Sequence, residues 1–483
     1  MRYDVIVLGG GFAGVAAAIA AAREGADTLL VEKGNGLGGA AANCLVNPFM
    51  PNGTKIDGQF TELSQGLYLT IRDELNRFAD RYQPDRRYKG KETIHEEYLK
   101  LILNRMTARE GVHLLFHAYL SGVNMDNGRI TSITVSAGAD TRTIEGDMFI
   151  DATGDMTLGV MSGCGWVLGR PADNLCQPMT LCFRLGNIDL DTYAKVRPEI
   201  NRLYCQFQAE GRIKNPRENV LIFHTVNEGV LHFNTTRIVK RSPVDMDDLT
   251  AAEIDAREQV FKMYDFLREN IDGFQNATLL STAAEIGIRE SRMLKDRYVL
   301  TQEDLVQCKK FDDSIALGNY DIDIHNPEGT GTSHYYFPEG QYYSVPYRTM
   351  LPLETENLLV TGRCISATHE AQASIAGRFL PIAELFQLAR CPTKVAIGGL
   401  SVVVEDEGHL LPGHAQVGAE FIAACAADDL MPYRPLDVGR VPCSFGHVQE
   451  VATGVVLGVN ASPVSQHPDE HGAGHGGVGA ESA

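Results

Sequence analysis

The sequence predicts an α/β fold in which a parallel sheet is interrupted by an α+β domain. Three observations lead to this prediction. An apolar strand, a glycine-rich turn and an alanine-rich helix open the chain over residues 4–23. Short apolar strands of the same kind recur at Met148–Ile150 and Leu358–Val360. The segment 164–346 between them mixes strand-like stretches with a long amphipathic helix, as a separate α+β unit would.

The glycine-rich turn has the spacing of a dinucleotide-binding motif. It follows the strand Asp4–Leu8, and the helix Ala13–Arg23 comes directly after it. The first glycine permits a tight turn, the second lets the backbone approach a phosphate, and the third lets the helix lie close to the strand. The helix N-terminus also offers unpaired N–H groups to an anion. The residues predicted to hold a nucleotide diphosphate in this Rossmann-like unit are Gly9, Gly11, Phe12, Ala13 and Gly14.

The second strand, Thr28–Val31, ends at an acidic residue. A carboxylate at this place, about 20 residues after the glycines, hydrogen-bonds ribose hydroxyls and disfavours a 2′-phosphate, so NADP is not expected. A second glycine cluster follows, where a plain NAD dehydrogenase would continue into another helix–strand unit. The cofactor contacts predicted in this region are Glu32, Lys33, Gly38, Gly39 and Ala40.

The next predicted elements are a helix over Lys91–Gly111, a strand over His113–His117 and a hairpin. The dipeptide Asn127-Gly128 between two alternating segments is a strong hairpin sequence. The buried strand Met148–Ile150 then runs into a turn of small residues, which lets backbone pass close to a cofactor. The cofactor contacts predicted in this turn are Ala152, Thr153, Gly154 and Asp155.

The middle of the chain is predicted to form a substrate domain. The stretches "QPMTLCFRLGNID", "ENVLIFHTV" and "EGVLHFNTTRIV" are strand-like, and residues 247–270 read as a long amphipathic helix. The apolar side chains expected near one face of this helix are Ile254, Val260, Phe261, Tyr264 and Leu267.

The nucleotide-binding domain returns with the strand Leu358–Val360, and a further helix is predicted to begin near residue 369 or 370. The cofactor contacts predicted after this strand are Gly362, Arg363, His369 and Glu370. The resulting domain prediction is a nucleotide-binding domain at 1–163, a substrate domain at 164–346, a returning part at 347–390 and an atypical, partly disordered C-terminal region at 391–483.

These stretches, collinear over residues 1–375, resemble the FAD-dependent oxidoreductase family of the glutathione-reductase superfamily. That family is distantly similar to fumarate reductase flavoproteins and to the tRNA-modifying flavoprotein. The resemblance rests on the glycine turn and on segments such as "LGGAAANCLVNPF", "IDATGDMTL", "YDIDIHNPEG" and "ENLLVTGRCISATHEAQASI". It implies FAD rather than NAD, a two-domain fold, and hydride transfer between a small organic substrate and flavin N5. It does not name the substrate.

The sequence departs from the family's pattern after Ile375. In the family a helix with a G-x-A-A-G-like pattern points its N-terminus at the flavin ring, and no such pattern follows here. A frameshift or unusual fusion near Ala376 would explain this, and so would a genuinely divergent C-terminal region. The last segment, residues 460–483, is rich in Gly, His and Ser and is predicted to be disordered. An altered helix also leaves open a flavin-binding protein without turnover.

Three of the catalytic candidates are Arg289, Tyr347 and Arg348. Arg289 would contact an anion or the flavin edge, unless it forms a salt bridge with Glu285 or Glu290. Tyr347 and Arg348 would face the cleft between the domains, unless they serve packing between them. His369 and Glu370 carry the same ambiguity, between flavin contact and helix capping.

The fourth catalytic candidate is His325, whose imidazole can donate a proton near neutral pH. The alternative is a loop histidine bonded to Asp321 or Asp323. Carboxylates in loops are more often caps than metal ligands, so no metal is expected. Cys44 lies in the flavin loop without a second cysteine nearby, which predicts a packing residue rather than a dithiol centre.

Composition restricts the class of partner. With 43 basic and 62 acidic residues the net charge is −19, which argues against nucleic acid, including tRNA, and against anionic membranes. Ten cysteines without a C-x-x-C pair argue against zinc and iron–sulfur sites and suggest reduced thiols in the cytoplasm. The chain begins directly in a strand and contains no apolar run of about 18 residues, so neither a signal peptide nor a membrane span is expected. The expected partner is a small-molecule substrate, with the oligomeric state left open.

Overall fold

A computed structural model describes residues 1–50, 52–89, 93–295 and 297–375 of the chain. The strands are β1 (Arg2–Leu8), β2 (Thr28–Val31), β3 (Gly53–Ile56), β4 (Gln59–Glu62), β5 (His113–Leu115), β6 (Tyr119–Asp126), β7 (Arg129–Ala137), β8 (Asp140–Asp151), β9 (Trp166–Leu168), β10 (Phe183–Gly186), β11 (Ile222–His224), β12 (Leu231–Phe233), β13 (Thr278–Thr282), β14 (Arg292–Leu294), β15 (Ser314–Gly318), β16 (Ile322–His325), β17 (Thr332–Tyr335), β18 (Tyr343–Pro346) and β19 (Leu358–Val360). The α-helices are α1 (Phe12–Arg23), α2 (Gly39–Asn43), α3 (Leu67–Tyr82), α4 (Glu96–Arg109), α5 (Thr157–Met161), α6 (Leu190–Ala209), α7 (Met246–Asn270), α8 (Gln302–Val306) and α9 (His369–Ile375), and short 3₁₀ turns occur at Tyr347–Met350 and Gly362–Cys364.

The main sheet has seven strands in the order β5-β2-β1-β8-β7-β6, with β19 also paired to β8. Strands β5, β2, β1, β8 and β19 run parallel, and β6 and β7 form the antiparallel hairpin. This confirms the predicted fold class. The Asn127-Gly128 turn has φ angles of 48° and 78°, as a type I′ hairpin turn requires.

The register of the sheet brings three loops to one edge. Leu8 lies opposite Asp151, and Val360 lies opposite Asp151 from the other side. The chain therefore leaves β1, β8 and β19 at the same edge, where ligands of open α/β sheets bind. All three predicted loops, which begin at Gly9, Ala152 and Thr361, lie at this edge.

The residues of strand β1 show that the main sheet is buried on both faces. Val5 and Val7 belong to one apolar cluster, together with α1 and α4, whereas Ile6 and Leu8 belong to another that includes the β6–β8 meander. A strand covered on both faces needs a continuous apolar run rather than alternation. The sequence of β1 has such a run.

The middle of the chain forms a second, four-stranded antiparallel sheet in the order β11-β12-β10-β13. Helices α6 and α7 share an apolar cluster with this sheet. The three strand-like stretches predicted from the sequence contribute β10, β11 and β12. The domain boundaries proposed from the sequence remain a prediction.

The predicted buried face of α7 is partly wrong. Ile254 and Phe261 are 60% and 53% exposed. The buried stripe contains two alanines instead, and its members are Ala252, Ala256, Val260, Met263, Phe266 and Leu267. Small side chains let α7 lie close to its neighbours, so the buried face is not the one with the largest apolar side chains.

Two other predictions need adjustment. Helix α4 begins at Glu96 rather than at Lys91, and β5 ends at Leu115 rather than at His117. The predictions for residues 376–483, including the frameshift, the C-terminal region and its disorder, lie outside the described residues. Among the helices that are described, none has the length and apolar character needed to cross a bilayer.

Candidate functional site

The glycine turn contains two kinds of glycine. A Cβ on Gly9 would lie 2.3 Å from the carbonyl oxygen of Ala152, and one on Gly14 would lie 1.8 Å from that of Gly9. These two glycines are required by protein packing. A Cβ on Gly11 would have Gly39 Cα, at 3.9 Å, as its nearest neighbour. Packing does not require a glycine at position 11, so the open space there fits the close approach of a phosphate.

Glu32 holds the two glycine loops together. One carboxylate oxygen accepts a hydrogen bond from the Gly10 N–H at 2.5 Å, and the other accepts one from the Gly34 N–H at 2.7 Å. The side chain is buried, with 6% exposure. The predicted contact with a ribose hydroxyl remains a prediction, and the structure adds this loop-binding role.

The second glycine loop closes directly onto the first. The Gly38 N–H donates to the Gly10 carbonyl at 2.8 Å, and Gly39 is so near Gly11 that a Cβ would lie 2.8 Å from its Cα. The carbonyl of Ala40 accepts hydrogen bonds from the backbone after α2. The glycines at 38 and 39 therefore allow two backbone segments to meet beside the open space at Gly11.

The loops after β8 and β19 are joined by an ion pair. Arg363 contacts Asp155 at 2.8 Å, and the Arg363 guanidinium lies 2.9 Å from where a Cβ on Gly154 would be. Burial alone would raise the pKa of Asp155, but Arg363, with smaller contributions from Ser291 and Lys33, holds that pKa below its usual range. Thr153 donates its backbone N–H and its hydroxyl to the fully buried Asp151. These contacts fix the shape of the predicted cofactor loops.

Lys33 is paired with Glu285 at 3.3 Å, and its side chain is half exposed. Burial lowers the pKa of Lys33, but Glu285 and the neighbouring Asp155 raise it above its usual range overall. Gly362 lies close to Ala13. A Cβ placed on Gly362 would be 3.5 Å from the Cβ of Ala13. The turn after β19 thus packs directly on the start of α1.

A buried dyad lies at the start of α9. Nδ1 of His369 is 2.8 Å from the carboxylate of Glu290, and both residues are buried. Glu290 also accepts a hydrogen bond from the backbone N–H of Gln177 at 2.8 Å. The neighbouring Glu370 is partly buried in the first turn of the helix. His369 is therefore oriented by Glu290 rather than by a backbone cap.

The salt bridge considered for Arg289 does not form. Glu285 pairs with Lys33, and Glu290 pairs with His369. The Arg289 side chain has only two hydrogen bonds within the described ranges, both long, at 3.4 Å to Thr180 and 3.5 Å to Asn234.

His325 lies in β16 and not in a loop. Its Nδ1 is 2.7 Å from Nη2 of Arg237, and its Nε2 is 3.5 Å from Asp323. Burial and the nearby Arg289 lower the pKa of His325 to about 4. The imidazole is therefore neutral at neutral pH, which weighs against the predicted proton donor.

Tyr347 and Arg348 lie in the 3₁₀ turn after β18. Burial raises the pKa of Tyr347, and its ring packs on the larger apolar cluster. Arg348 forms an ion pair with Asp313 at 2.8 Å and lies over the ring of Tyr298 at 4.8 Å. These contacts favour the packing alternative for both residues, and a catalytic role for them stays a prediction.

Asp321, Asp323 and His334 place three ligand atoms within 4.8 Å of one another. No metal was expected from the sequence, and the Asp321 carboxylate is already hydrogen-bonded to His334 at 2.7 Å. Cys44 is buried, and burial raises the pKa of its thiol to about 12. Such a thiol stays protonated, in agreement with a packing role.

Sequence reasoning missed several charged residues of this region. Arg217 and Arg237 are buried near Arg289, and a cavity of about 490 Å³ is lined in part by Arg237. None of the residues that line this cavity is a predicted cofactor contact. No motif marks these arginines, because they lie in separate loops, after α6, β12 and β13, and meet only in the folded chain.

The sequence model of the family described as FAD dependent oxidoreductase matches residues 4–382. This chain belongs to that family. The match spans every predicted cofactor contact, and the cofactor of the family is FAD. The open space at Gly11, framed by two glycine loops, fits the diphosphate of FAD. No curated protein matches this sequence.

The solved structures that match this chain are only distantly similar to it. A geranylgeranyl bacteriochlorophyll reductase-like protein from Thermoplasma acidophilum has 18% identity over 61% of this chain and 66% of that chain, with a TM-score of 0.36. The myxobacterial chondrochloren halogenase has 13% identity over 78% and 71%, with a TM-score of 0.38. The flavin-dependent monooxygenase PieE has 14% identity over 62% and 51%, with a TM-score of 0.34. This chain thus spans just under two thirds of the first structure, and these likenesses carry no argument about substrate.

Proposed function

We propose that this protein is an enzyme that oxidises or reduces a small organic substrate with the help of FAD. When bound, FAD supplies a flavin ring that exchanges a hydride with the substrate at N5. The observation that carries the proposal is the open space at Gly11, beside two glycines that packing does require. The residues of the chain bind and orient the cofactor and the substrate around it.

The chain's own contribution is positional. The N-terminus of α1 and the loop at Gly38 would hold the diphosphate, and Glu32 would hold the ribose while fixing both loops. The Asp155–Arg363 pair would keep the third loop in place beside them. Glu290 accepts a hydrogen bond at Nδ1 of His369, so the proton stays on that nitrogen and the ring keeps one orientation.

We place the substrate in the cleft between the two sheets, where residues 284–292 contact several parts of the predicted cofactor site. The Ala284 N–H donates to the Asn43 carbonyl at the end of α2 at 2.9 Å. The Ser291 hydroxyl donates to the carbonyl of Gly154 at 2.8 Å, and Glu290 contacts α9. Arg289 lies in the middle of this segment and would face the substrate.

Two finer parts of the proposal follow from sequence. The order of the glycine turn, the β6–β8 hairpin region and the turn after β8 supports the link to the glutathione-reductase superfamily and its fumarate reductase relatives. The seven cysteines within the described ranges are all free thiols, which supports a reducing, cytoplasmic location.

The proposal is tested by the visible spectrum of purified protein, followed by anaerobic reduction with a panel of metabolites. Flavin absorbance that is bleached by one class of metabolite supports an enzyme. A yellow protein that no metabolite bleaches, while dithionite does, would instead indicate flavin binding without turnover.

A further inference from the structure

Three arginines gather at the end of β12, away from the glycine loops in sequence. Arg237 is 1% exposed and Arg217 is 5% exposed, and Arg289 is partly buried. Burial, together with the neighbouring Arg289 and Arg237, lowers the pKa of Arg217 to about 10. The three guanidinium groups are therefore close enough to repel one another.

The acids around this arginine cluster (Arg217, Arg237 and Arg289) do not balance it. Glu218 pairs with Arg237 at 2.9 Å, and Asp323 lies near the cluster and contacts His325. Within the ranges that the structure describes, Arg217 and Arg289 take part in no ion pair.

Counting three arginines against Glu218 and Asp323, with His325 neutral, leaves one positive charge in excess. The chain as a whole is acidic, with a net charge of −19, so the positive excess at this place is local. Burying an uncompensated charge costs free energy, so an excess cation in a buried site calls for an anion.

Hydrogen bonding in the arginine cluster is incomplete in the same way. In Arg237 only Nε is buried without a partner. Its two terminal nitrogens already contact the carbonyls of Gly329 and Gly331 and the side chains of His325 and Thr332. The one side-chain hydrogen bond of Arg217 to a described residue is 3.4 Å long, to Asn219. The two bonds of Arg289 are 3.4 Å and 3.5 Å long. These donors have capacity for an acceptor that the described chain does not provide.

The cluster is tied to the helix that carries His369. Gln372 of α9 donates to the carbonyl of Arg289 at 2.9 Å. Gln177 donates to Gln372 at 3.2 Å and accepts from the backbone N–H of His325 at 3.3 Å. A ligand held by the arginines would therefore lie beside the predicted flavin contacts.

We propose that Arg217, Arg237 and Arg289 bind a carboxylate group of the substrate next to α9. This inference rests on the proposed function and names its substrate class. A single excess charge matches a monoanion, and the planar fork of a guanidinium matches the two oxygens of a carboxylate. A phosphate group would bring more negative charge than the cluster lacks.

The test uses the FAD-loaded protein with two readouts, the melting temperature and the perturbation of flavin absorbance. Propionate and benzoate are compared with propionamide, benzamide and inorganic phosphate at constant ionic strength. We expect the carboxylates to raise the melting temperature and shift the flavin spectrum, and the amides to do neither. Arg289→Gln should weaken carboxylate binding by about 10- to 100-fold, the effect of losing a charge-assisted hydrogen bond.

Arg202→Gln is the matched control, because Arg202 pairs with Glu199 on the exposed face of α6 and should leave binding unchanged. Arg217→Lys is a second variant, which keeps the charge but loses the fork, and it should weaken binding even if Arg289→Gln does not fold. A stronger response to phosphate than to carboxylates, or equal binding by amides, would overturn the inference. So would carboxylate affinity that is unchanged in both variants.

Failure of this inference is distinguishable from failure of the proposed function. Carboxylates that bind through Arg289 while no metabolite bleaches the flavin would leave the subsite intact and reject the hydride reaction. A neutral metabolite that bleaches wild type and Arg289→Gln equally well would reject the subsite and leave the hydride reaction intact.

Discussion

The glycine loops and the arginine cluster use different kinds of atoms to form a binding site. In the glycine loops the important atoms are backbone atoms, and Gly9 and Gly14 leave no room for any side chain. In the arginine cluster the important atoms are side-chain nitrogens contributed by residues 217, 237 and 289, which are far apart in sequence. The first kind of site has a local sequence pattern, whereas the second is visible only after folding. Four variants test this contrast, and they are given in order of decreasing effect.

The largest effect is expected for Gly14→Ala. The new Cβ would lie 1.8 Å from the Gly9 carbonyl oxygen, which is backbone and cannot move aside without displacing β1 or α1. We expect a loss of more than about 3 kcal/mol in the free energy of unfolding, as for severe overpacking. Urea denaturation of the variant measures this. Gly58→Ala is a poor control because of its positive φ, so Gly329→Ala, with open space around it, serves instead. A Gly14→Ala protein as stable as Gly329→Ala would contradict the packing argument.

The second variant, His325→Gln, addresses the arginine cluster. The pKa of His325 falls from 6.5 in the unfolded chain to about 4 in the folded protein, so the unfolded state binds the proton more readily between these values. Stability should therefore fall as pH drops from 6.5 to 4, by about 3 kcal/mol from this residue. Unfolding measured across this pH range should vary less in His325→Gln. His113→Gln is the control, because His113 is exposed. An equal loss of pH dependence in that variant would contradict the assignment of the effect to His325.

Glu32→Gln separates the two roles of Glu32. It removes the charge from the hydrogen bonds to Gly10 and Gly34, and we expect a loss of about 1–3 kcal/mol in the protein without FAD. Thermal denaturation before and after FAD is added distinguishes the roles. Destabilisation seen only with FAD present would mean that Glu32 acts on the ribose and not on the loops.

Arg348→Ala should have the smallest effect. The ion pair with Asp313 is partly exposed, so its contribution is about 1 kcal/mol or less once solvent screening is considered. Contact with the Tyr298 ring adds a similar small amount. We expect flavin reduction to proceed at the wild-type rate in stopped-flow measurements. A rate lowered by more than tenfold would restore Arg348 to the catalytic group.

The contrast also explains which parts of the molecule could be predicted. The order β1, glycine turn, α1, β2 was evident, because apolar runs and glycines act locally. The predicted buried face of α7 was partly wrong, since Ala252 and Ala256 are buried whereas Ile254 and Phe261 are exposed. Helices α3 and α6 were not predicted, and α6 even contains Pro198. Tertiary packing overrode local preference there.

The candidate site divides in the same manner. The backbone role of Gly9, Gly11 and Gly14 could be stated in advance from spacing alone. The partners of Glu290 and Arg289 could not, because a charged side chain chooses among acids that folding brings near, and several were equally plausible in sequence.

The central claim is that Gly11 is a glycine for the sake of a ligand rather than of the protein. Titration of FAD into the apoprotein of Gly11→Val and of Gly329→Val, with far-ultraviolet circular dichroism on both, tests it most directly. The account predicts that both variants fold and that Gly11→Val alone loses FAD affinity by more than 100-fold, because valine fills the space for the diphosphate. Wild-type affinity in a folded Gly11→Val protein would contradict it.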